Sequence, residues 1–74
     1  MHQIEGRVIF AQESRFQLLD RNGVAHHFIL SHSAGAEPEQ LPLLQRRQAM
    51  VRVGYRAAPD MIGHAALSIL MLES

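Results

Sequence analysis

Seventy-four residues make one domain, with no room for a second. A chain this short buries only about 60% of the surface its unfolded form exposes, so its core is marginal, and either that core suffices or another subunit helps. The absence of cysteine excludes disulfides and thiolate metal sites together, and seven arginines balanced by seven acids argue against strong non-specific nucleic-acid binding.

The charge is unevenly spread. Residues 1–40 carry three arginines and five acids, and residues 57–74 carry two acids and no base. Between them lie Arg46, Arg47, Arg52 and Arg56 with no acid at all, so any anion-seeking surface must involve RRQAMVRVGYR. MHQIEGR opens with charged alternation rather than a basic start and an apolar run, which speaks against a signal peptide. The longest apolar stretch, IGHAALSILML, falls well short of the roughly 20 residues that span a bilayer. A cytoplasmic protein without a membrane segment is the expectation.

In chain order, QIEGRVIFA (3–11) alternates, with Ile4, Val8 and Phe10 on one face and Glu5 and Arg7 on the other. Gly6 inside that run suggests a bend or bulge in a first strand. After the short polar link QES come FQLLD and VAHHFIL, separated by Asn22-Gly23. That pair suits a tight type I′ turn, so a hairpin is expected there. Three strands, roughly 3–11, 15–20 and 24–31, then form an antiparallel meander.

SHSAGAEPEQLPLLQRRQ changes character. Pro42 is harmless only in the first turn of a helix, Glu37 and Glu39 precede it, and Arg46 and Arg47 complement its C-terminal end. This predicts a short helix over about 39–47. AMVRVGYR (49–56) alternates again, with Val51, Val53 and Tyr55 on one side and Arg52, Gly54 and Arg56 on the other. Pro59-Asp60 marks a loop over 57–63. HAALSILML (64–72) then reads as a last strand, although Ala, Leu and Met leave a C-terminal helix as an alternative.

The resulting order, β-β-β-α-β-β over residues 1–74, is that of a five-stranded barrel closed by a helix between strands three and four. In layout the whole chain resembles an OB-fold domain, and in size and element order it is similar to single-domain translation initiation factors and S1-type RNA-binding domains. IEGRV followed by LLDRNGVAHHFILS carries the strand–turn–strand rhythm of that group. The resemblance implies an all-β OB-like barrel with one short helix. An SH3-like barrel with a short connecting helix has the same pattern and is the alternative.

The histidines draw attention first, because VAHHFILSHS places His26, His27 and His32 within seven residues. Successive side chains on a strand point to opposite faces, so His26 and His27 cannot chelate one ion. No HxH, HExxH or cysteine pair occurs. No metal and no cofactor is expected, and one of His26 and His27 should reach the rim of the core while the other meets solvent. No serine lies in a nucleophile-elbow context and no glycine-rich phosphate loop exists, so an enzyme is not expected.

Two surfaces remain. Arg52 and Arg56 share an outward parity about 13 Å apart. With Arg46 and Arg47 they could track the phosphates of a single strand, with Tyr55 or Phe16 as stacking platform. The plainer reading is a solvated face on which an arginine pairs with Glu5 across strands. The last strand is apolar on both parities, so either its own barrel covers it twice or its outer residues Ala66, Leu70 and Leu72 meet another protein. The expectation is a non-catalytic interaction module, forming a homodimer or docking on a partner protein through that strand. Weak single-stranded nucleic-acid binding is the alternative.

Overall fold

The computed structural model describes residues 2–31, 37–56 and 63–72. Five strands run β1 (His2–Gln12), β2 (Arg15–Leu19), β3 (Ala25–Leu30), β4 (Met50–Arg56) and β5 (His64–Met71). Between β3 and β4, one 3₁₀ turn (Pro38–Gln40) leads into helix α1 (Leu41–Arg47). The strands close into a barrel in the order β1-β2-β3-β5-β4. β1 is antiparallel to both β2 and β4, and β3 meets β5 in parallel. Strand order and helix position are those expected of the OB-like barrel, and residues 64–71 form a strand rather than a helix.

The alternating apolar residues explain the closure. Val8, Phe16, Leu18, Phe28, Val51 and Val53 all turn inward and are essentially fully buried, joined by Leu41 and Leu44 from α1. Each such side chain contributes roughly 1.5–3 kcal/mol relative to leaving it in water. Phe16 stacks on Phe28 across the β2–β3 pair, where the two are register partners. Gly6 is required by close approach rather than by a bend. A Cβ there would sit 2.7 Å from the Leu19 carbonyl oxygen, where β1 crosses β2.

Two bulges reset the alternation. In β1 the register steps from Val8–Leu18 to Phe10–Gln17, leaving Ile9 as the extra residue. Val8 therefore faces in while Phe10, expected on the same face, points out and is 39% exposed. In β5 the register steps from Tyr55–Ala66 to Gly54–Ser68, with Leu67 extra. Ala66 and Ile69 then both face inward although they differ in parity, and Leu70 faces out. A single surplus residue accounts for a strand that is apolar on both parities.

The turns use local chemistry. Gly23 has φ +81 and its N–H donates to the Asp20 carbonyl at 3.0 Å, but Asn22 is not in the left-handed region. The β2–β3 loop is thus three residues long, a turn over Asp20–Gly23 ending in a left-handed glycine, and not the expected type I′ pair. The Asp20 carboxylate braces it, accepting from the Asn22 and Val24 N–H groups at 2.8 and 2.9 Å. Gln48 ends α1 in the left-handed region (φ 49), with the Ala49 N–H donating to the Leu44 carbonyl at 2.9 Å. That is a Schellman closure built without the usual glycine.

Candidate functional site

The expected arginine stripe can be placed residue by residue. Arg52 lies opposite Glu5 in the β1–β4 ladder, and its Nε and Nη2 both donate to Glu5 Oε2, at 2.9 and 2.7 Å. Its charge is answered by a cross-strand partner. Arg46 and Arg47 are exposed at the end of α1, and Arg56 is exposed at the end of β4. Tyr55 does not lie beside them. It turns toward one end of the barrel, with ring centroids 5.3 Å from Phe28, 5.1 Å from His64 and 5.4 Å from His2. Phe16 is buried in the core and offers no stacking surface.

The histidines divide as the strand geometry requires. His26 Nε2 lies 2.7 Å from Asp20 Oδ2 at the rim of the barrel, and His27 is exposed on the outer face. The contact with His26, followed by the Val24 amide, holds the Asp20 carboxyl below its ordinary value. His32 and Asp60 lie outside the described residues. Among the described residues no three His, Asp or Glu side chains come together as metal ligands. Nor is any helix among them long and apolar enough to cross a membrane.

Ala66, expected at the outer surface, is fully buried because the Leu67 bulge falls after it and not before. Leu72 is half-buried, its N–H donating to the Met50 carbonyl at 2.9 Å. Leu70 does face outward and is 55% exposed, more than any other large apolar side chain described. Other exposed apolar side chains that the sequence reading missed are Met50 at the start of β4, Met71 at 45% exposure, and Leu43 on α1 at 52%. Between α1 and the end of β5 runs a groove of about 290 Å³, floored by Leu41 and Leu44 and walled by Leu43, Ile69 and Met71. Glu37 and Arg47 stand on its margins.

A second, smaller cleft of about 150 Å³ opens on the outer face of β1, β2 and β3. Phe10, Gln12, Arg15, Gln17, His27 and Ile29 line it. Only the Ile9 bulge brings Phe10 there, and no residue type in VIFA announces that bulge. No protein-family model, curated protein or solved structure matches the chain, so the reading of both faces rests on their chemistry.

Proposed function

We propose that this protein is a non-catalytic interaction module whose α1–β5 face docks another protein. The observation that carries the reading is the α1–β5 groove, whose walls Leu43 and Met71 are left exposed, together with Leu70 exposed on the outer face of the same strand. Burying them removes apolar surface from water at roughly 25 cal/mol per Å². An exposed apolar groove with a charged margin is a usual mark of a protein contact.

A second reading draws on the Phe10 cleft. An outward phenyl ring, the Arg15 guanidinium and the Gln12 and Gln17 amides on one curved sheet face suit a short single strand of nucleic acid. The base would stack on Phe10 and a phosphate would meet Arg15. This moves the nucleic-acid alternative away from Arg46, Arg47, Arg52, Arg56 and Tyr55.

One experiment separates the two readings. A photo-crosslinking amino acid is placed at Leu43 in one variant and at His27 in another, and both are irradiated in living cells. Protein adducts at position 43 with none at position 27 are the expected result. Nucleic-acid adducts at 27 with nothing at 43 would replace the first reading by the second, and Phe10→Ala should then weaken oligonucleotide binding by roughly 1–3 kcal/mol.

A further inference from the structure

We infer that the partner at this face is a second copy of the chain, joined by antiparallel pairing of β5 with β5 about a two-fold axis at Leu70. The inference rests on the docking reading above and names its occupant.

Three features of β5 lead to it. β3 accompanies β5 only from His64 to Ala66, and among the described residues no strand pairs with Leu67–Met71 on the side away from β4. The α1–β5 groove takes in Ile69 and Met71 of that stretch. Among the described residues, β5 is therefore flanked by β3 at one end and has β4 as its only strand neighbour at the other. Monomeric proteins guard such edges with charged side chains, prolines or inward-pointing charges. LSILML carries none of these.

The ladder phase decides the register. Opposite residues in an antiparallel pair alternately exchange two hydrogen bonds or none. Val51 faces Met71 and Arg52 faces Leu70, and the Leu72 N–H donates to the Met50 carbonyl. Leu72–Met50 and Leu70–Arg52 are thus the bonded pairs, and Ile69 and Met71 turn their N–H and C=O groups away from β4 into the open side. One two-fold register satisfies all four of those groups: Ile69 opposite Met71 of the other copy, and Met71 opposite its Ile69. That register sets Leu70 opposite Leu70, as a non-bonded pair whose Cα atoms are about 4.5 Å apart. The most exposed leucine then lies on the axis, and Ile69 and Met71 meet each other on the groove side.

Charge supplies the reason for a second copy rather than a foreign strand. Glu37 and Arg47 both border the groove, and the helical segment 38–47 that separates them spans roughly 15 Å. A two-fold axis reverses the direction of that segment, so the acidic end of one copy is carried toward the basic end of the other. A surface with one sign at each end is complementary to itself.

The test uses the purified full chain, whose lack of cysteine lets single thiols be introduced cleanly. Light scattering across a concentration series should show a dimer. Leu70→Lys, which opposes like charges across the axis, should weaken it at least about tenfold while the thermal melt still shows a folded monomer. Under oxidised glutathione, Leu70→Cys should bridge two chains, because a Cα separation of about 4.5 Å lies within disulfide range. Ser68→Cys should not, since the two copies of that residue stand four positions out of register, roughly 13 Å along the strands. A monomer at every concentration overturns the inference. So does a dimer in which Leu70→Cys stays reduced or Ser68→Cys bridges as readily. If the chain is monomeric but the Leu43 crosslinker captures a different protein, the docking reading stands and the two-fold partner falls. If neither appears, both fall.

Discussion

The meander β1–β2–β3 and the ribbon β4–β5 hold themselves together by different means. In the meander, loops of two and three residues join neighbours in sequence, and Asp20 and the left-handed Gly23 settle the second loop locally. β2 has a partner on both sides along its length, and β1 meets β4 with His2–Arg7 and β2 with Arg7–Gln12. The ribbon is closed by contacts distant in sequence: β4 against β1, and β5 against β3 through only three register pairs. Among the described residues both regions leave stretches with a single strand neighbour, Ile9–Gln12 of β1 in the meander and Leu67–Met71 of β5 in the ribbon, but β5 depends for its closure on pairs distant in sequence. The part of the chain that folds with the least local help is also the part on which the proposed docking surface lies.

Phe28 joins the two regions, since its ring packs on Phe16 in the meander and on Tyr55 and His64 in the ribbon. Phe28→Ala should cost about 3–5 kcal/mol. Hydrogen exchange should show β5 amides losing protection before those of β1 and β2; simultaneous loss everywhere would erase the distinction drawn between the regions. Gly6→Ala comes next. Its methyl group meets the backbone at Leu19, which cannot swing aside, and about 1–3 kcal/mol should be lost in a urea titration.

A smaller effect follows acid. The folded Asp20 carboxyl lies below its ordinary value of 3.8, so its contribution is complete above that value and is lost as pH falls through the folded one. Melting temperatures of the natural chain should therefore drop below about pH 4 more steeply than those of Asp20→Asn, which keeps a turn acceptor but has no charge to lose. Parallel curves would mean that the turn gains nothing from the carboxylate. Smallest is a gain: Gln48→Gly relieves a left-handed position at the end of α1 and should raise stability by about 0.5–1 kcal/mol. No gain would show that the helix end is held by tertiary contacts instead.

Much of the barrel was legible in residue alternation, because strands covered on one face must repeat every second residue. The hairpin at Asn22-Gly23 was visible for the right reason, yet its geometry was misread. Asp20, with a carboxylate able to brace the loop from within, was the missed signal. The bulges at Ile9 and Leu67 left no such mark. Both are apolar residues in apolar runs, and only the pairing partner reveals which one is surplus. That is why Phe10 was assigned to the interior and Ala66 to the surface. The Glu5–Arg52 contact was foreseen as a cross-strand pair, whereas the exposure of Leu43 and Met71 depends on how α1 packs, which no local pattern encodes.

The Leu67 bulge has one more consequence. Removing that residue would leave Ala66 and Ile69 inside and Ser68 and Leu70 outside, since a bulge adds a residue without altering which neighbours follow. What would vanish is the extra twist and bend that a bulge imparts. The strand is therefore one residue longer than its inside–outside code demands, and that additional length serves curvature at the point where the described pairing with its parallel neighbour ends.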